Sequence, residues 1–153
     1  MADTYTVTRR TTIAAPAAHI HARVVDLHRW VDWSPWEGVD PDLTRTYTGP
    51  EQGVGAQYAW SGNRKAGVGR MEIIEDTAPS HVAVRVDFEK PMKSSSVSTF
   101  DIAEDGDSSE VTWTMTGQHS LFSRVAAPLG FFDKLLGKDF AKGLAALKTV
   151  SEG

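Results

Sequence analysis

The sequence predicts an α+β fold in which one antiparallel sheet and one long helix bury each other. Three observations carry this. The residues from Pro128 to Val150 set Phe132, Leu136, Phe140, Gly143, Leu147 and Val150 at helical spacings, widened by Leu135 and Leu144. Asp133, Lys134, Lys138, Lys142 and Lys148 fall mostly on the other side, so this is an amphipathic helix of about six turns. Most of the preceding chain divides into short β-rich runs separated by turn signals, the pattern of a meandering antiparallel sheet of about seven strands. Strands and helices are segregated rather than alternating, which argues against a doubly wound parallel sheet.

Each element has its own signal. Tyr5, Val7, Thr11 and Ile13 alternate with Thr6, Thr8, Arg10 and Thr12 in a β-branched first strand. Pro16 suits the first position of a helix, because its missing N–H costs nothing there. Ile20, Val24 and Leu27 follow at helical spacing, and Asp26 can cap a second short helix through Trp30 and Trp33. Ser34-Pro35 ends it, since the residue before proline avoids helical geometry. Leu43 to Thr48 is a weaker strand, and Ala56 to Ser61 a clearer one with Tyr58 and Trp60 on one face. Gly69 to Glu75 places Met71 and Ile73 together. Val82, Val84, Val86 and Phe88 alternate strictly with Ala83, Arg85, Asp87 and Glu89, giving one apolar and one wet face. Ser96, Ser98, Phe100 and Ile102 share a face, Asp105-Gly106 makes a hairpin turn, and Val111, Trp113 and Met115 share a face of the last strand. Gly137 and Gly143 interrupt the final helix, each at a cost of ~1 kcal/mol relative to Ala.

The chain has 153 residues, read as a single domain over 1–153. A domain of this size buries roughly 70% of its unfolded surface, enough for a core without staples. There is no cysteine, so disulfides, thiolate metal sites and a cysteine nucleophile are excluded. The formal net charge is -4 with both signs interspersed and no basic patch, so nucleic acid is not an expected partner. The first residues lack the apolar run of a signal peptide, and no stretch approaches the ~20 apolar residues of a membrane span. A cytoplasmic protein is the expectation. No feature sets an oligomeric state.

Several stretches together carry a resemblance. They are Ile13-Ala14-Ala15-Pro16, the segment Trp30-Val31-Asp32-Trp33-Ser34-Pro35-Trp36, and the segment from Gly55 through Tyr58 and Trp60 to Asn63. Val111-Thr112-Trp113-Thr114-Met115-Thr116-Gly117 and Asp139-Phe140-Ala141-Lys142-Gly143-Leu144 complete the set. With the element order, they make the whole chain resemble the helix-grip fold of the START and Bet v 1-like (SRPBCC) superfamily, in its bacterial polyketide cyclase/dehydrase-like branch. The resemblance implies a strongly bent sheet gripping the C-terminal helix. It also implies a hydrophobic cavity between them for lipids, polyketides or sterols. Members include carriers, sensors and a few cyclases, and a fold does not confer a chemistry.

The ligand-binding set expected from the sheet is Tyr58, Trp60, Met71, Ile73, Val84, Val86, Phe88, Phe100, Trp113 and Met115, with Phe132, Leu136, Phe140 and Gly143 from the helix. Aromatic and methionine side chains suit an adaptable apolar pocket, although the same residues also suit a solid core. Trp30, Trp33 and Trp36 form either a cavity rim or a plug packing the short helices into the sheet, and each buried indole N–H needs a partner. Leu121 to Phe132 reads as a lid over the cavity, as a surface that touches membrane or another subunit, or as a short helix capped by Ser120 and broken at Pro128. Gly137 and Gly143 either open space or permit close helix–sheet packing.

Support for enzyme chemistry is thin. His19, His21, His28, His81 and His119 form no metal-binding pattern, and no serine sits in a nucleophile elbow. Arg9 and Asp101 could place charges on inner faces, but are expected to face water. No catalytic residue, metal or cofactor is assigned. The expected function is binding of a small or medium hydrophobic ligand, as a carrier or sensor. The alternatives are a polyketide aromatase/cyclase, which requires inward polar residues, and a protein-interaction module, which requires a filled core and an exposed apolar patch.

Overall fold

The computed structural model describes residues 4–34, 42–63, 67–90, 94–118 and 131–152, with only the backbone described at 4, 5, 90, 94, 118 and 131–136. Trp36, His119, Ser120, residues 121–130 of the Leu121–Phe132 segment, and the side chains of Phe132 and Leu136 therefore lie outside the described residues.

The elements are β1 (Thr4–Ile13), α1 (Ala17–Val25), a 3-10 helix (Leu27–Asp32), β2 (Thr44–Thr48), β3 (Gln57–Ser61), β4 (Val68–Thr77), β5 (His81–Lys90), β6 (Ser94–Asp105), β7 (Ser108–Gln118) and α2 (Phe131–Glu152). The strands form a 7-stranded sheet in the order β1-β7-β6-β5-β4-β3-β2. Every pairing is antiparallel. From β2 onward the chain meanders. β1 is separated from β2 by both short helices and closes instead against β7, so β1 and β2 occupy opposite edges. This is the curved, helix-gripping sheet that the resemblance implied.

Alternation sets which side chains face inward. Val7, Ile13, Met71, Ile73, Val82, Val84, Phe100, Val111, Trp113 and Met115 are buried on one face. Arg85 pairs with Glu72 at 3.0 Å and with Asp87 at 3.2 Å on the other face. A bulge between Ile73 and Glu75 breaks the alternation in β4 and brings Asp76 opposite Val82. Asp76 thereby reaches His21 of α1, Oδ1 to Nε2, at 2.7 Å.

The short helices are tied to the sheet. Pro16 is the extended residue just before α1 rather than its first helical residue. It offers no side-chain cap, and Glu104 of β6 accepts from the Ala17 N–H at 2.8 Å instead. Asp26 caps the 3-10 helix as expected, accepting from the His28 N–H at 3.0 Å. In α2 the residues Gly137, Phe140, Gly143, Leu144, Leu147 and Ser151 are buried. Near its end Lys148 donates to the Thr12 carbonyl at 3.0 Å, and Glu152 accepts from the Ala14 N–H at 2.7 Å. The helix is thus anchored along the edge strand β1.

Candidate functional site

The aromatic residues separate into two groups. The first is a deep cluster of Trp30, Trp33, Phe100, Trp113 and Phe140, all buried. Trp30 and Trp33 meet Phe100 edge-on at 5.7 Å each, and Trp113 stacks flat on Phe140 at 4.0 Å. Trp30 of the 3-10 helix and Trp33, which follows its end, both have their indole N–H groups satisfied. Trp30 Nε1 donates to the Val24 carbonyl at 2.9 Å, and Trp33 Nε1 to the Arg23 carbonyl at 3.1 Å. That arrangement favours packing, because the indole N–H groups of Trp30 and Trp33 are bonded to backbone and the rings are enclosed.

The second group is a file of rings on the same face, toward the β2 edge of the sheet. His28 stacks on Tyr47 at 4.0 Å, Tyr47 on Tyr58 at 5.0 Å, and Tyr58 on Trp60 at 5.8 Å. Trp60 meets Phe88 edge-on at 5.3 Å. Tyr47, Trp60 and Phe88 are only partly buried. Strand register creates the file: Tyr47 lies opposite Tyr58 and Tyr58 opposite Met71, while Trp60 lies opposite Gly69 and Gly69 opposite Phe88. Gly69 is the notch that seats the indole. A Cβ there would stand 2.6 Å from Trp60 Cζ2 and 2.7 Å from the Asp87 carbonyl oxygen. Below the file, Ser96 and Ser98 occupy buried inner-face positions opposite Val86 and Val84, and opposite Gly117 and Met115.

The residues expected to line a site are therefore distributed unevenly. Tyr58, Trp60, Met71, Val86 and Phe88 lie together along the file and its neighbouring register positions. Ile73, Val84, Phe100, Trp113, Met115 and Phe140 lie in the deep core with Trp30 and Trp33, and Gly143 is buried in α2. Sequence reasoning passed over His28 and Tyr47. The available signal was Arg45 and Tyr47 alternating with Thr44, Thr46 and Thr48.

The charged candidates also separate. Asp101 is exposed, as expected. It holds His81 Nδ1 at 2.8 Å, while Glu75 holds His81 Nε2 at 2.8 Å. The hydrogen bond to Asp101, then the one to Glu75, raises the His81 pKa above its ordinary value. Arg9, expected in water, is instead half-buried beneath α2. Its guanidinium occupies the space where a Cβ on Gly137 would project, and its NH1 donates to the Thr8 carbonyl at 2.7 Å. The reason is tertiary: Arg9 lies opposite Trp113 on the inner face, and α2 runs over that edge. Gly137 thus serves close packing.

A sequence model of the family described as polyketide cyclase / dehydrase and lipid transport matches residues 4–152. No curated protein matches the sequence. Solved structures share the fold. Protein CV1439 from Chromobacterium violaceum superposes with a TM-score of 0.69 at 12% identity, covering 97% of both chains. A protein from Thermobifida fusca gives 0.65 at 21% identity, covering 94% of this chain and 90% of its own. Ara h 8.0201 gives 0.67 at 11% identity, with 97% of each chain covered. Among the described residues no helix is long and apolar enough to cross a membrane. Family and fold fit a hydrophobic-ligand-binding SRPBCC protein. The match spans nearly the whole chain, and the chain belongs to the polyketide cyclase / dehydrase and lipid transport family.

Proposed function

We propose that the protein binds a small or medium hydrophobic molecule, as a carrier or sensor, against the ring file of β2, β3 and β5. The observation that carries this reading is the contrast between the two aromatic groups. The deep cluster is enclosed, whereas Trp60, Phe88 and Tyr47 are only partly buried. Partly covered aromatic faces in a concave setting are favourable contacts for an apolar ligand, at about 25 cal/mol per Å² removed from water. Ser96, Ser98 and Gly117 are the small residues at the neighbouring inner-face positions. The family description, which includes lipid transport, points the same way.

The contact set proposed is Tyr47, Tyr58, Trp60, Met71, Val86 and Phe88, with the deep core as its floor. The test is titration with a panel of lipids and aromatic polyketides, read by tryptophan fluorescence. Saturable quenching is expected, with Trp60→Phe losing most of the signal change and Phe88→Ala weakening binding about tenfold, the size of one buried aromatic contact. Absence of a saturable response to every member of the panel overturns the reading.

A further inference from the structure

Four serines are buried among the described residues: Ser96, Ser98, Ser109 and Ser151. Ser109 shows how such a hydroxyl is ordinarily satisfied, donating to the Ala15 carbonyl at 2.9 Å. Ser151 stands in α2, where a hydroxyl can turn to the carbonyl one helical turn back. Ser96 and Ser98 differ from both. They are 8% and 1% exposed, and neither hydroxyl has a hydrogen-bond partner among the described residues. β6 is paired on both sides, so the backbone around them is engaged in the ladder. Across that ladder they face Val86 and Val84 on β5, and Gly117 and Met115 on β7, none of which has a hydroxyl, amide or charged side chain. A buried hydroxyl without a partner is destabilising, and alanine or valine would occupy these inner-face positions without that penalty.

Register connects Ser96 to the ring file. Tyr47, Tyr58, Met71, Val86, Ser96 and Gly117 succeed one another from β2 to β7 in one inner-face row. Strands lie about 4.8 Å apart, so Ser96 stands three strand spacings, about 14 Å along the sheet, from Tyr58. Ser98 leaves the same face one row nearer the deep core, between Ser96 and Phe100.

We infer that Ser96, with Ser98 beside it, is the polar subsite of the ligand site. The ligand is a neutral oxygenated hydrophobe, its apolar part on Tyr58 and Trp60 and its hydroxyl or carbonyl oxygen on the serine hydroxyls. The inference rests on the proposed ligand site. A serine hydroxyl both donates and accepts, so it serves an alcohol and a ketone alike. A carboxylate is disfavoured, because the four facing residues bring no cation and a buried unpaired charge is far less tolerable than a buried dipole.

The test titrates the full chain with 8-phenyloctan-1-ol, octylbenzene and 8-phenyloctanoate, read by tryptophan emission. The alcohol binds the wild type more tightly than either companion. Ser96→Ala weakens the alcohol about fivefold, the scale of one neutral hydrogen bond, and leaves octylbenzene within about twofold. Adding Ser98→Ala removes the preference for the alcohol. Ser95→Ala, at an outer-face serine bonded to Asp87, changes neither. Equal effects of Ser96→Ala on the alcohol and the hydrocarbon, or binding of the hydrocarbon alone, overturn the polar subsite while the ligand site stands. Tighter binding of the octanoate than of the alcohol overturns the neutral assignment. Failure of all three to bind the wild type overturns the site and the subsite together. Urea unfolding of the same variants gives a reading that needs no ligand. Loss of a hydroxyl with no internal partner leaves the midpoint unchanged or raises it, whereas Ser109→Ala lowers it by breaking the bond to Ala15. A midpoint lowered as far by Ser96→Ala as by Ser109→Ala shows a hydroxyl satisfied within the fold and overturns the inference.

Discussion

The rings of Trp113 and Phe140 lie parallel, 4.0 Å apart with 4° between their planes. One comes from the last strand and the other from the last helix, and both are fully buried. Their stacking joins α2 to β7, the strand next to the β1 edge, and closes the deep core.

Phe140→Ala is expected to destabilise the fold by about 3–5 kcal/mol, because a buried aromatic leaves a cavity that rigid neighbours fill poorly. Urea unfolding followed by circular dichroism checks this. A loss below about 1 kcal/mol would mean that α2 can settle onto the sheet without the stack.

Gly69→Ala is expected to cost about 1–3 kcal/mol through overpacking. The added methyl would meet the Trp60 ring at 2.6 Å and the Asp87 carbonyl at 2.7 Å, and a strand backbone cannot withdraw as a side chain can. Trp60 must leave its seat, so the emission spectrum should shift along with the unfolding midpoint. Wild-type stability together with an unshifted spectrum would contradict the notch.

Gly137 and Arg9 should be thermodynamically coupled. Alanine in a helix interior gains about 1 kcal/mol over glycine. In the wild type that gain is offset, because the methyl displaces the Arg9 guanidinium from beneath the helix. In an Arg9→Ala background the space is open, and Gly137→Ala should stabilise. A double-mutant cycle measures the difference, and strict additivity would show that the two residues do not meet.

His81 gives a pH dependence of defined sign. Its folded pKa is raised by Asp101 and then by Glu75 above the ordinary 6.5. The folded state therefore holds the proton more tightly than the unfolded chain. The stabilisation is complete below the unfolded value and is lost as pH rises through the higher folded value. His81→Gln should accordingly be most destabilising in mildly acid solution, and the gap from wild type should narrow at alkaline pH. Thermal melts across that range check it, and a gap independent of pH would contradict the bridge.

Much of the fold was legible in local sequence. Alternation identified the inner faces of β4 to β7, because side chains two apart in a strand leave the same side whatever lies beyond it. Helical spacing likewise found the Phe140, Gly143 and Leu147 face of α2. Within the candidate site, Tyr58, Trp60 and Phe88 were legible as inner-face aromatics, whereas Tyr47 and His28 were not. Their place in the ring file depends on β2 pairing with β3 and on the 3-10 helix crossing the sheet.

The amino-acid order was sufficient for the class of fold, the inward sets of residues and an aromatic-rich interior, because periodicity and turn chemistry act over a few residues. Register and packing assigned the roles within that interior. They separated an enclosed cluster around Trp113 from a partly open file around Trp60, drew Arg9 under Gly137, and turned Asp76 toward His21 through the bulge in β4. These relationships join residues distant in the chain. Each is set by which strands pair and by where α2 lies across them, so no local pattern could carry it.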